Sequence, residues 1–329
     1  MRKAIIVESP TKTRTLSRFL GDEYKLLASR GHVRDLLRDG LAVDVENDFV
    51  PEYEILPSQK KTVRDLKKEL QDIDEVYLAT DPDREGEAIA WHLVEALGLQ
   101  DAKRIEFNEI TQDAVLRALE HPGTIDIDRV NAQQARRILD RLVGYKLSPL
   151  LWRRIGSKGQ KDALSAGRVQ SAALRLVCDR EREIAGFTAD EYWSIEAILT
   201  PGGVEKQFAA ELKTRDGEQL DLRTEDQTMP IVEQLAQSKF VCASITKTQV
   251  KRNPQTPYRT STLQRAAAAR FRFRARRTMD VAQRLYEGID IGDGTHGLIT
   301  YMRTDSTRVS AEARNQATDF IKQHHGENY

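Results

Sequence analysis

The chain has 329 residues, in which 51 Lys and Arg balance 51 Asp and Glu, and 40% of the residues are apolar. That is enough for two or three cored domains, while no apolar run approaches the roughly eighteen residues of a membrane span and the start, MRKAIIVESP, is too short in apolar residues for a secretion signal. Cys178 and Cys242 sit among apolar neighbours with no CxxC pair, which argues against a zinc site and reads as reduced core thiols of a cytosolic protein.

In chain order, KAIIVES is a β-branched run expected to form a buried strand, and Pro10 opens a helix through TKTRTLSRFL. YKLLASRG reads as a second strand, HVRDL as a turn, and residues 41–58, with Pro51 and Pro57, as a loop. KKTVRDLKKELQDI is an amphipathic helix, VYLATD a strand, GEAIAWHLVEALGL a helix and KRIEFN another strand. This alternation points to a mostly parallel sheet with helices on both faces, whose ligands gather at the carboxyl ends of the strands, where Glu8 and Asp81 both lie.

HPGT at 121–124 marks a boundary. Two long helical patterns follow, IDRVNAQQARRILDRLVGYKLSPLLWRRI and SAGRVQSAALRLVCDREREIAGF, joined by a polar loop, SKGQKD. From Tyr192 the pattern alternates, so YWSIEAILT, KQFAAELKT and FVCASITKTQV are expected strands. After Pro254 and Pro257 helices return in STLQRAAAARF, RTMDVAQRLYEG and SAEARNQATDFIKQ, and a Gly-rich stretch delivers Tyr301 on an extended segment. The expected divisions are 1–122, 123–187, 188–253 and 254–329. The neutral net charge is unevenly spread: residues 251–277 hold nine Lys or Arg and no acid, whereas 41–54 and 72–87 are acidic. A basic surface beside an acidic pocket suits a polyanion held by its backbone over a metal.

The chemistry concentrates in two motifs. DPDREG places Asp81, Asp83 and Glu85 at a strand end, where alternate carboxylates can share a Mg²⁺; a solvated turn favouring the next helix would have the same spacing. GLITYMRTDS pairs Tyr301, a poor nucleophile unless its phenol is helped to ionise, with Arg303, a fixed cation for a phosphate. Glu8 in VESPTK is a candidate general acid, its ionisation opposed by neighbouring carboxylates, and Lys12 a candidate phosphate grip. Both also read as ordinary charges of a helix start. SAGRVQS sets Ser165 as an expected N-cap and Arg168 in the first turn, while QARRILDR puts Arg137 and Arg141 on one helix face, for phosphates or for surface ion pairs. RFRFRARR could stack bases and hold phosphates, or bury its phenylalanines. There is no P-loop, no HExxH and no nicotinamide fingerprint.

VESPTK, GHVRDL, ATDPDREGEAIAWHL, FNEIT, RVNAQQARRILDRLVGYKLSPLLW, LSAGRVQS, TPYRTSTLQ and GLITYMRTDSTRVS, in this order, strongly resemble the bacterial type IA DNA topoisomerases. The resemblance implies a mixed α/β, multidomain fold: a Toprim domain over 1–122, the first half of a helical DNA-binding domain over 123–187, part of a β-rich arch over 188–253 and an incomplete catalytic-tyrosine domain over 254–329. It further implies ATP-independent, Mg²⁺-dependent relaxation of negatively supercoiled DNA by single-strand cleavage, strand passage and religation. Tyr301 matches the family's nucleophile, which forms a 5′-phosphotyrosine. Arg303 and Lys12 match its phosphate contacts, Glu8 the carboxylate on the 3′ oxygen, and Asp81, Asp83 and Glu85, with Glu8, its Mg²⁺ cluster. His32, Arg104, Arg137, Asp140, Arg141, Arg168 and Gln170 would line the DNA path. A monomer in the cytoplasm, on the nucleoid, with no ATP and no membrane, is expected. The family's four-domain ring needs several hundred more residues, so the chain is expected to be an N-terminal fragment, with strand passage by it alone in question. Two other readings stay open: a Toprim nuclease or primase with a structural Tyr301, and a non-catalytic single-strand DNA-binding fragment.

Overall fold

The computed structural model describes residues 2–155, 164–203 and 205–327. The expected SKGQKD loop lies outside them. The chain forms two compact units, residues 1–168 with 254–329, and residues 169–253.

The first unit starts with β1 (Lys3–Val7), α1 (Pro10–Leu20), β2 (Tyr24–Ala28), β3 (Arg34–Leu36), β4 (Val43–Asp44), β5 (Val50–Pro51) and β6 (Tyr53–Ile55). It continues through α2 (Lys60–Glu69), β7 (Glu75–Leu78), α3 (Arg84–Leu97), β8 (Lys103–Arg104), α4 (Gln112–Glu120) and α5 (Ile127–Arg154). Its parallel sheet has the order β2-β1-β7-β8. Side chains of β1 alternate between the two faces: Ile5 and Val7 pack on α1 through Leu16, while Ile6 packs with Val63 and Leu66 of α2 and Leu93 of α3.

The second unit holds nearly all of α6 (Arg168–Ala185), with β9 (Glu196–Leu199), β10 (Phe208–Glu211), β11 (Thr214–Arg215), β12 (Glu218–Gln219) and α7 (Glu225–Ala236). The chain then returns to the first unit as α8 (Thr260–Phe271), α9 (Ala275–Glu287), β13 (Ile289–Asp290), β14 (Thr295–His296) and α10 (Ala311–His325). This returning segment completes the core on the α1 side of the sheet. Ala282, Tyr286, Tyr301 and Met302 are buried in one apolar cluster with Ile5, Val7, Leu16 and Ile105.

Several sequence expectations are corrected. HVRDL and residues 41–58 are not bare turn and loop: β3 pairs with β6 and β4 with β5, around buried Leu36 and Val43. KRIEFN is extended in the sheet only at Lys103–Arg104. FVCASITKTQV forms no strand, because among the described residues nothing pairs with it, and it lies exposed. Cys178 is half-buried and Cys242 exposed, so neither is a core thiol. Ser165 does not cap α6, which starts three residues later. Phe271 is exposed and Phe273 half-buried.

Two local features tie this fold to measurable stability. His92 is buried on α3 between the rings of Trp91 and Tyr53, and its Nδ1 finds no partner among the described residues. Burial, assisted by the Arg34 charge, lowers its pKa from 6.5 to about 3. The unfolded chain therefore takes up the proton first on acidification. The stability this contributes is complete above the unfolded value and drains as pH falls toward the folded one, by about 2 kcal/mol between roughly pH 7 and pH 5. Urea unfolding at the two pH values should show that difference, and His92→Leu should remove it; identical pH slopes for the two proteins would contradict the assignment. Gly86 sits so close beneath the preceding loop that a Cβ would stand 2.0 Å from the Asp81 carbonyl oxygen. Gly86→Ala is expected to cost at least ~1–3 kcal/mol by overpacking, read as a lowered urea midpoint. An unchanged midpoint would show that the loop yields freely.

Candidate active site

Glu8 and Asp81 follow β1 and β7, neighbours in the sheet, so two apolar strands deliver both carboxylates to one edge. The Asp81 N–H donates to Glu8 Oε1 at 2.9 Å. Burial first, and then the Asp81 charge, raise the Glu8 pKa to about 7, against the opposing pull of Lys12. Sequence reasoning had the direction right but named only the like charges; loss of water is the larger cause.

Asp81 is gripped from several sides. Its Oδ1 pairs with the fully buried Lys12 Nζ, delivered by α1, whose first turn is capped by Ser9. Its Oδ2 accepts from Gln283 Nε2 at 3.2 Å, and its carbonyl from Arg104 at 3.0 Å. The same Gln283 nitrogen reaches Glu287 Oε1 at 2.9 Å, and Glu287 Oε2 accepts from Ser9 Oγ at 2.9 Å. The result is a closed ring of polar contacts between α1, the end of β7 and α9.

Asp83 N-caps α3, accepting from the Gly86 N–H through Oδ1 at 2.9 Å. Its other oxygen accepts the Tyr301 hydroxyl at 2.5 Å, with Arg303 Nη1 at 3.8 Å. Tyr301 is 7% exposed, edge-on to the Tyr286 ring at 5.1 Å, and its N–H donates to the Asn108 carbonyl at 2.7 Å. Thr260, at the start of α8, fixes the irregular segment after Tyr301 by donating to the Met302 carbonyl at 2.8 Å and accepting the Thr304 N–H at 3.0 Å. Burial, then the charge of Asp81, then the bond to Asp83 hold the Tyr301 phenol far above its usual pKa, so it is kept protonated.

The carboxylates do not converge on one point. Glu85 turns away, accepting from Gln133 Nε2 at 3.1 Å and standing 3.7 Å from His32. Among the described residues no three His, Cys, Asp or Glu side chains gather closely enough to hold a metal. The donor set is all carboxylate oxygen, the kind Mg²⁺ takes, but as arranged Lys12, Gln283 and Tyr301 occupy it. The fit to a bound Mg²⁺ is therefore not met in this arrangement.

The expected DNA-path residues divide. His32, Glu85, Arg137 and Asp140 line one cavity of about 480 Å³. Arg137, Asp140 and Arg141 line a second of about 700 Å³ along α5, with Tyr145 and Trp152. Arg137 pairs with Asp35, and Arg168 Nε bonds Asp140 at 2.7 Å, holding that carboxyl below its usual range. Arg104 is buried, its guanidinium taken up by Glu87, Glu106 and backbone carbonyls, and it borders a separate cavity of about 250 Å³ with His121 and Arg129 rather than the two cavities along α5. Gln170 lies in the first turn of α6, in the second unit. Ser9, Asn108, Thr260, Gln283 and Glu287 went unnoticed in sequence. Gln283 and Glu287 are four apart, one face of a helix, but that spacing alone looks like any surface pair.

Replacing Gln283 by Leu removes the donor shared by Asp81 and Glu287. The expected cost is about 1–3 kcal/mol in urea unfolding. A loss below roughly 0.5 kcal/mol, the scale of an ordinary surface change, would show the ring to be incidental.

A model of the DNA topoisomerase family matches residues 124–329 and one of the Toprim domain residues 3–110. The structure of full-length topoisomerase I from Thermotoga maritima is 41% identical, covers 99% of this chain and superposes with a TM-score of 0.85. The chain spans 53% of that protein. A small Toprim domain protein from Bacillus stearothermophilus matches 40% of the chain at 17% identity and a TM-score of 0.23, too low to carry an argument. With matches that together run through most of its length, the chain belongs to the bacterial type IA DNA topoisomerase family.

Proposed function

We propose that this chain carries the cleavage centre of a type IA DNA topoisomerase, which relaxes negatively supercoiled DNA through a 5′-phosphotyrosine on Tyr301. The observation that carries this reading is the 2.5 Å bond from Tyr301 to Asp83, which joins residues 218 positions apart at a buried acidic site.

In the proposed reaction a strand first parts the resting Tyr301–Asp83 bond; the Tyr301 oxygen then attacks the scissile phosphorus and its proton is lost to water. The P–O bond to the 3′ oxygen breaks, and Glu8, with a pKa near neutrality, is suited to protonate that oxygen. Arg303, half-exposed beside Asp83, would neutralise charge on the phosphoryl oxygens. One phosphoester replaces another, so no ATP is needed, and religation is the reverse step. The family resemblance would give Asp81, Asp83 and Glu85, beside Glu8, to a Mg²⁺, but they could hold it only once Lys12, Gln283, Tyr301 and Gln133 no longer occupy them, so no step is routed through the metal. The groove along α5, with Arg137, Arg141, Arg168 and His32, would receive the single strand. Strand passage is proposed only for a protein of the length of the Thermotoga maritima relative, of which this chain spans 53%.

An end-labelled single-stranded oligonucleotide incubated with Mg²⁺ and the chain, or the chain completed to full length, should yield a denaturant-stable protein–DNA adduct. Tyr301→Phe should abolish it. Cleavage that persists in the variant without an adduct would favour a nuclease instead, and salt-sensitive binding with no cleavage in either protein would favour a pure binder.

A further inference from the structure

The turn between α8 and α9 carries charge that the fold does not use. Arg265, Arg270, Arg272, Arg274, Arg276 and Arg277 are all exposed, and no ion pair joins any of them to a carboxylate among the described residues. Arginines with an acidic partner, such as Arg104, Arg117, Arg129, Arg137 and Arg168, and arginines without one both occur elsewhere; what sets this turn apart is how many unpaired ones it gathers in so short a stretch. The sequence supplies no Asp or Glu from residue 251 until Asp280. In a chain of zero net charge, six unneutralised cations within thirteen residues make a local positive field that internal packing does not require.

The turn also presents flat apolar surface. Phe271 is 64% exposed, its ring 5.5 Å from that of Phe273, and Arg277 lies over the Phe273 ring at 5.7 Å. Arg272 takes the left-handed conformation at φ 56°, where glycine would sit without steric cost. A cation is thus held at the apex at some conformational expense. Exposed aromatic faces interleaved with arginines are the surface that binds unpaired bases and their phosphates. Solvated arginines alone would account for the charge; exposed Phe271 among them adds a ring face on which a base can stack.

We propose that the α8–α9 turn is a second nucleic-acid contact, in which these arginines hold the phosphates of a single strand while Phe271 stacks on a base. The contact lies outside the cleavage centre: α9 runs thirteen residues from this turn to Glu287 beside Asp81, about 20 Å of helix. It would hold strand that extends beyond the cleft. The inference rests on the reading of DNA as substrate and adds a surface to it.

The test is fluorescence anisotropy of a labelled single-stranded oligonucleotide, titrated with protein over a range of KCl concentrations. Replacing Arg272, Arg274, Arg276 and Arg277 together by Gln should weaken binding and flatten the dependence of log K on log salt by up to roughly 3 units, at ~0.7 per phosphate contact on a single strand. Replacement of the four by Lys should restore most of the slope. Phe271→Ala should weaken binding about tenfold with the slope unchanged. Circular dichroism confirms folding, which these exposed positions should not disturb. Affinity and slope unchanged in the Gln variant would overturn the proposal, as would a loss confined to a duplex competitor. Adduct formation on the same oligonucleotide separates the two readings. An adduct together with an unchanged slope sinks this inference alone; arginine-dependent binding with no adduct in any form sinks the cleavage reading alone.

Discussion

The pairing of Lys12 with Asp81 inside the protein is the contact on which the site depends. Both groups have left water, and the attraction between two such charges seldom exceeds the cost of stripping them. The pair is therefore poor as a source of stability and effective as a constraint. Lys12 can meet Asp81 only if α1 leaves β1 at the angle set by Ser9 and Pro10, and only if β7 ends beside β1. Gln283 occupies the other oxygen, which fixes α9, and Arg104 fixes the backbone behind. Removing any one of these partners leaves a buried polar atom without its complement, a penalty larger than the bond's net worth.

The same constraint explains how two segments separated by most of the chain share one core. Tyr286 and Tyr301 pack against Ile5 and Val7, and Tyr286 donates to the Phe107 carbonyl at 3.0 Å. Gly297 lets this happen: a Cβ there would come within 2.8 Å of the Tyr286 carbonyl oxygen. The phenol that would attack phosphate is thus placed by backbone fit on three sides, through Asn108, Thr260 and Gly297, before its hydroxyl meets Asp83.

Much of this was legible in the residues. The β-branched run before Glu8 and the VYLA run before Asp81 announce strands, and strand ends in a parallel sheet are where ligands gather. Tyr301 stood out through Arg303 beside it. What escaped was whatever depended on distant segments. Arg104 reads in sequence like any basic residue, and only the fold reveals that Glu87 and a ring of carbonyls absorb it. β3 through β6 are two or three residues each, too short for any period to show. FVCASITKTQV has the alternation of a strand but finds no neighbour to pair with among the described residues, and β propensity expresses a fit to neighbours rather than an intrinsic shape. Gln283 and Glu287 acquire their role only because α9 is laid across the start of α1.

The arrangement has a further consequence for how a strand could enter. With Tyr301 nearly buried and hydrogen-bonded to Asp83, no phosphodiester can lie between them, so the arrangement described excludes the substrate proposed for it. Entry would break the Tyr301–Asp83 and Gln283–Asp81 bonds, together with the hold of Ser9 on Glu287 and of Arg18 on the Thr295 carbonyl. Under the cleavage reading, DNA binds an open form, and its apparent affinity is reduced by the fraction of molecules that are open. A ligand can shift that balance only by contacts it makes better in one form than in the other. Phosphates that reach Lys12 and Arg303 once Asp81 and Asp83 are released would be such contacts. The pairs that keep the site closed would then be the ones exchanged for substrate, and a phenol held protonated while closed could not react before a strand arrives.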